Sequence, residues 1–298
     1  MTFLTLEELS TQENVDPRTI QNWSSQKKIN SVSPAHPLPK LFWKNNNSNT
    51  FAKSIAFMNL KGGAGKTTLT VNFSVYLARL GFKVLLIDTD HQNQCDAFFP
   101  SIDYKYSIDT ILSSEIKPED GIYTIEGETY KLDVIYSSFS LALFARHYSK
   151  IDGFLEMIEQ IKNNYDFIIV DTSPNFDIIN HNVAVSANNI IIPMIPTELH
   201  YKGLLHQLKA LEQIARIPLD RVKGILPNLV NSNKVQHPTY IELVKEEFPN
   251  GVFEHVIPED PYLEKLSTFR TNIFDYRENS KGGRAFKKAT WELLRRVD

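Results

Sequence analysis

The 298 residues predict an α/β protein, a mostly parallel twisted sheet with helices on both faces, preceded by a small helical unit. Three observations carry this. Short apolar runs recur at 55–58, 84–87, 132–135, 167–170, 190–195 and 224–230. Helical spacing lies between several of them. A Gly-rich turn follows the first run, where a strand hands over to a helix. Unbroken apolar runs fit strands buried on both faces, and strands alternating with helices become parallel neighbours.

In chain order, residues 1–44 form the helical unit. Thr5 is placed as an N-cap, with Glu8 three residues on as its capping-box partner. Asn14, Val15 and Asp16 make a turn. Asp16 caps a second helix that opens with Pro17 and runs to Trp23. Pro- and Ser-rich chain follows, ending in apolar Leu41, Phe42 and Trp43. The Asn-rich stretch 45–52 is a linker, and 53–298 form the α/β domain. After the first strand, Leu69, Phe73, Leu77 and Leu80 build one helix face, which Gly81 ends. The second run delivers Asp88 and Asp90 at its end, and the run at 167–170 delivers Asp171. No internal repeat is found.

Composition excludes several classes. No apolar run approaches the roughly 20 residues of a membrane span. The start, Met1-Thr2-Phe3-Leu4, has no secretory pattern, and a cytoplasmic location is expected. Cys95 is the only cysteine, which rules out a disulfide within the chain and argues against a cysteine-held iron–sulfur or zinc site. Net charge is −3, yet residues 270–298 hold eight basic against four acidic side chains, a local +4.

The sequence Lys61-Gly62-Gly63-Ala64-Gly65-Lys66-Thr67-Thr68 between strand and helix has the logic of a phosphate cradle. Glycines let backbone N–H groups turn inward, and the helix N-terminus adds partial positive charge. Lys66 is placed to reach the β- and γ-phosphates and Thr67 to ligate Mg2+. The general pattern wants Gly at position 60, where Leu60 stands, so the form is the deviant one with a second lysine, Lys61. Strand-end carboxylates suit ligand binding, because ligands sit at the carboxyl ends of parallel strands.

These motifs, with Asp88-Thr89-Asp90-His91-Gln92 and Ile169-Val170-Asp171-Thr172-Ser173-Pro174, resemble the Walker A, A′ and B motifs of the ParA family of partition ATPases, relatives of MinD. The resemblance covers residues 54–298. His91 stands where the family has Pro, and Asn93 where it often has Gly. The resemblance implies an ATP-hydrolysing deviant Walker P-loop NTPase with ATP and Mg2+ as cofactors. Lys61 would cross a homodimer interface to the partner's nucleotide. Asp90 would position the attacking water. Asp88, with Thr67 and Asp171, would lie at the metal. Asn228 and Pro258 are the adenine candidates.

Residues 1–44 resemble the winged helix-turn-helix-like unit that some longer ParA proteins carry. Arg18, Gln21 and Asn22 are of base-reading types, and Lys27 and Lys28 suit phosphates. A small dimerisation module is the alternative. Lys281, Arg284, Lys287, Lys288 and Arg295 form a candidate surface for nonspecific DNA, against a merely solvated helix face. The implied function is plasmid or chromosome partition. It would involve nucleoid association, a self-regulated operon, and a ParB-like partner bound at a centromere-like site. A McdA-like ATPase that positions protein cargo is the alternative. A MinD-like membrane helix at 289–297 is a further one, though its apolar stripe is expected to pack on the core. A metabolic synthetase on the same scaffold and a purely transcriptional regulator fit the motifs less well.

Overall fold

The computed structural model describes residues 52–297 continuously and, before them, residues 4–13, 16–18, 21, 24, 30–32 and 41–43. In the first part, β1 (Leu4–Thr5) leads into α1 (Leu6–Glu13), and β2 (Asn30–Val32) and β3 (Leu41–Trp43) complete a three-stranded antiparallel sheet in the order β1-β3-β2. The predicted capping box is present. Thr5 N–H donates to Glu8 Oε2 at 2.7 Å and Glu8 N–H to Thr5 Oγ1 at 3.2 Å. Asp16 Oδ1 accepts from the Arg18 N–H at 2.7 Å, and residues 17, 18, 21 and 24 are helical. The sequence reading names helices here and gives no strand bounds; the three short strands are added by the structure. Asn22, Lys27, Lys28 and residues 45–51 lie outside the described residues. Ala52, counted above with the linker, is buried and donates its N–H to Lys162 O.

The α/β domain begins with β4 (Lys53–Phe57), α2 (Lys66–Arg79) and β5 (Val84–Thr89). There follow α3 (Ile108–Leu112), β6 (Tyr123–Glu126), β7 (Lys131–Ile135), α4 (Leu141–His147), α5 (Gly153–Ile161) and β8 (Phe167–Thr172). Next come α6 (Ile178–Ser186), β9 (Asn189–Met194), α7 (Glu198–Lys209), β10 (Val222–Pro227) and α8 (Gln236–Glu247). The short α9 (Pro261–Glu264) and α10 (Ile273–Arg277) lead to the long α11 (Lys281–Arg296). Seven strands pair in the order β10-β9-β4-β8-β5-β7-β6, all parallel except the antiparallel edge strand β6.

Alternate strand residues face opposite sides, and both sides are buried. Ile55, Phe57, Leu86 and Ile169 join the core under α2 and α11. Ala56, Met58, Leu85, Ile87, Ile168 and Val170 join the core under α5, α6 and α7. This explains the unbroken apolar runs. Gly81, at φ +92°, ends α2 as expected. The run at 224–230 is shorter as a strand than predicted. It stops at Pro227 because Leu229 turns to φ +51°.

The apolar stripe of α11 packs against α2 in the core of one sheet face. Phe286, Ala289, Trp291, Leu293, Leu294 and Val297 are buried, and Phe286 meets Phe73 edge-on with ring centroids 5.4 Å apart. Among the described residues no helix is long and apolar enough to cross a membrane. Glu8 pairs with Arg295 on α11 at 2.7 Å, a contact between the first part and the domain.

Candidate nucleotide site

The central strand β4 feeds its chain straight into the glycine loop. Gly63 and Gly65 hold φ of +78° and +76°, left-handed values that a side chain resists. A Cβ on Gly65 would meet Asn228 Nδ2 at 2.5 Å. No side chain caps α2, so the N–H groups of its first turn are left for a ligand, and an anion suits them. The loop is braced from outside the motif. Asn228 Nδ2 donates to Ala64 O at 2.7 Å. Asn59 Oδ1 accepts from Lys61 N–H at 2.6 Å, and its Nδ2 donates to Pro193 O. Gln207 of α7 accepts from Leu60 N–H at 3.2 Å and donates to Met58 O at 2.9 Å, which accommodates the leucine where the general pattern has glycine.

Lys66 is buried and its ammonium donates to Asn59 O at 3.2 Å. Burial holds its pKa below the ordinary lysine value, and the charges of Asp171 and Asp90 oppose that. Asp88 and Asp171 are register partners at the ends of β5 and β8, both fully buried. Thr67 donates to Asp171 Oδ2 at 2.6 Å. Asp88 accepts from the N–H groups of Asp90 at 2.8 Å and Cys95 at 3.2 Å. Burial first, and then the charge of Asp171, push the Asp88 carboxyl well above its usual range. Burial likewise raises Asp171, against the Thr67 hydrogen bond and the Lys66 charge. Asp171 Oδ1 is buried and has no partner among the described residues. A desolvated carboxylate oxygen of this kind fits a nearby divalent cation with its water shell. Thr67, Asp171 and Asp88 therefore suit Mg2+.

A cavity of about 680 Å3 opens in front of this cluster. Residues 62–68, Asp90, His91, Gln92, Phe98 and Pro174 are among those lining it. It brings together Gly62, Gly63, Ala64, Gly65, Lys66, Thr67, Thr68 and Asp90 of the predicted set. Asp90 Oδ1 accepts from Gln92 N–H at 3.0 Å, and His91 Nδ1 lies 3.7 Å from the same oxygen. Asn93 adopts φ +47°, which is why glycine or asparagine suits that position.

Lys61, Asn228 and Pro258 do not line the cavity. Lys61 lies along α7, where a Cβ on Gly203 would meet its Cγ at 2.9 Å. Its charge adds to burial in lowering the pKa of His200 on the same helix. Asn228 holds the loop. Pro258 is buried and bridges Val230. Of the basic residues, Lys281, Arg284 and Lys288 are exposed on α11. Lys287 is not free for DNA: it pairs with Glu278 at 2.7 Å and its side chain is 14% exposed. Arg18 and Gln21 are exposed. Sequence reasoning missed Asn59, Gln207 and Cys95 as parts of this site. Asn59 adjoins the motif, whereas Gln207 meets it only through the fold.

The sequence profile described as "AAA domain" matches residues 52–221. The chromosome-partitioning ATPase Soj of Thermus thermophilus is 25% identical over 253 residues, covering 82% of this chain and 96% of Soj. The ATP complex of an McdA variant from Cyanothece superposes with a TM-score of 0.72 at 17% identity, over 83% of this chain and 97% of that one. MinD from Pyrococcus horikoshii, complexed with Mg-ADP, gives 0.69 at 23% identity, over 81% and 96%. The profile spans more than half of the chain, and the deviant glycine loop and strand-end carboxylates agree with it, so the chain belongs to the AAA domain family, as a P-loop ATPase of the ParA and MinD kind.

Proposed function

We propose that the chain is a ParA-type partition ATPase that binds ATP and Mg2+ between two subunits, holds nonspecific DNA while dimeric, and releases it on hydrolysis. The observation that carries this reading is the position of Lys61. It lies along α7, outside the cavity lined by its own glycine loop, where it would serve a facing subunit. Lys66 and the first-turn N–H groups of α2 would hold the phosphates. Thr67, Asp171 and Asp88 would hold Mg2+, which supplies Lewis-acid neutralisation of charge on the phosphate oxygens. Asp90, on the cavity wall, would orient the attacking water. The partner's Lys61 would counter charge on the transferred phosphoryl group, as an arginine finger does.

Likeness to a chromosome-partitioning ATPase over most of both chains supports the DNA cargo. A ParB-like partner at a centromere-like site would stimulate turnover. Lys281, Arg284 and Lys288 would give a surface for nucleoid DNA, and residues 1–44 would serve an operator. The same site would serve a protein-cargo ATPase. The capped helix of the first part, with exposed Arg18 and Gln21 on the second, favours DNA. A membrane helix is not favoured, because the apolar stripe of α11 is buried.

The test uses Asp90→Ala and Lys61→Ala, with dimer mass in ATP and phosphate release measured together. Asp90→Ala should bind ATP and remain dimeric without turnover. Lys61→Ala should lose hydrolysis. Normal turnover by Asp90→Ala sinks the water-positioning role, and normal turnover by Lys61→Ala sinks the facing-subunit role.

A further inference from the structure

Cys95 stands apart from the roles given so far. It is fully buried, its thiol donates to Asp171 Oδ2 at 3.6 Å, and its N–H donates to Asp88 Oδ2 at 3.2 Å. One ligand atom each from Asp88, Cys95 and Asp171 lie within 4.8 Å of one another. Asp171 adds a buried oxygen with no partner among the described residues. A tetrahedral zinc site, with bonds of about 2.3 Å to sulfur and about 2.0–2.2 Å to oxygen, has a sulfur–oxygen edge of roughly 3.5–3.7 Å. The 3.6 Å thiol–carboxylate hydrogen bond already has the length of that edge, so a metal could replace the bridging proton with little movement.

We infer that Asp88, Cys95 and Asp171 form a binding site for a thiophilic divalent cation such as Zn2+ or Cd2+. Mg2+ takes oxygen ligands, whereas a thiolate beside two carboxylates selects softer ions. On binding, the Cys95 thiol gives its proton to solvent and a sulfur–metal bond forms, with no change of oxidation state. The three residues lie behind the nucleotide cavity, whose wall includes their neighbours Thr67 and Gln94, and that wall is the route the ion would take. The low cysteine count argued against a cysteine-held zinc site, but here the carboxylates supply the other ligands. Such an ion would occupy the carboxylates that Mg2+ needs, and it would oppose nucleotide binding. That consequence rests on the nucleotide reading, and the site itself does not.

The test titrates CdCl2 into the reduced full-length protein without nucleotide and follows the ultraviolet thiolate-to-metal band and the melting temperature. Cys95 is the only thiol, so the band reports it alone. The band should saturate at one equivalent, the melting temperature should rise because the ion binds the folded chain, and ZnCl2 should erase the band. Asp171→Asn should weaken the titration by about tenfold or more. Asp88→Asn makes the same comparison if Asp171→Asn does not fold. The site is overturned by the absence of a band, by a band that comes with a lower melting temperature, or by a titration unchanged in the Asp variants. A failed partition reading leaves every one of these outcomes intact, since no nucleotide or DNA is present.

Discussion

Gly65→Ala attacks the loop at one atom. The new side chain meets two obstacles. The backbone is left-handed at φ +76°, which costs a non-glycine residue about 1–2 kcal/mol. The Cβ also falls 2.5 Å from Asn228 Nδ2, so Asn228 must swing away and lose its bond to Ala64 O. That amide is buried, and leaving a buried group unpaired costs about 1–3 kcal/mol. Together these make a loss of roughly 2–5 kcal/mol, and at about 2–4 °C per kcal/mol a fall in melting temperature of about 4–20 °C. Asn228→Ala alone loses the bond but not the backbone strain. The double variant should therefore fall short of the sum of the singles by the value of that bond, about 1–3 kcal/mol. Urea melts of the four nucleotide-free proteins measure this, and MgATP titration should show the weakest binding in the single and double variants that carry Gly65→Ala. Energies that add within about 0.5 kcal/mol, or a Gly65→Ala protein that melts like wild type, refute the reasoning.

Lys66→Ala should abolish nucleotide binding, since Lys66 is the buried cation of the cavity, and a titration with wild-type affinity rejects that. Lys281→Glu with Arg284→Glu should weaken ATP-dependent binding to nonspecific DNA and flatten its salt dependence by about 0.9 in log–log slope per lost phosphate contact. Unchanged binding moves the surface elsewhere. Glu292 of α11 accepts from the N–H groups of Glu254 and His255 and from Arg296, with its side chain 12% exposed. Burial raises its pKa, but these donors outweigh it and leave the value below the usual 4.5. Its stabilisation is therefore full above that value and lost as pH falls through the lower, folded one. Glu292→Gln should cost about 1.5–3 kcal/mol near neutral pH, and the gap should close on acidification. A gap equal at about pH 7 and about pH 3 contradicts this.

What was legible in the sequence was what lies close along the chain. The glycine loop, its lysines and Thr67 are one contiguous segment, and Asp88 and Asp171 each end an apolar run. The core was legible because both faces of the sheet are buried, which makes the runs continuous. The edge strand β6 was missed because it is short and only Ile125 of its four residues is buried. Its hairpin signal, Gly127 closing on Tyr130 O, was present but weak. Gln207 was out of reach because it meets Leu60 across 147 residues of chain. Cys95 carried no sign of its neighbours, since its place beside Asp171 depends on how two strand ends come together. In the first part β1 pairs with β3 across more than thirty residues, which local propensity does not report.

The register of β5 on β8 has a lasting effect on the stability of the fold. Asp88 and Asp171 sit side by side because the paired rows before them are fixed by apolar packing on two faces, and a slip of one residue would move each apolar side chain to the opposite face. The repulsion cannot relax by rearrangement. It is a frustrated spot inside a well-ordered sheet. Burial raises the pKa of both carboxyls, so this pair makes the fold less stable as pH climbs past the ordinary carboxyl value of 3.8. Replacing either aspartate with a neutral residue of the same size should give a sturdier and idle protein. Activity and robustness are thus set against each other by the alignment of two neighbouring strands.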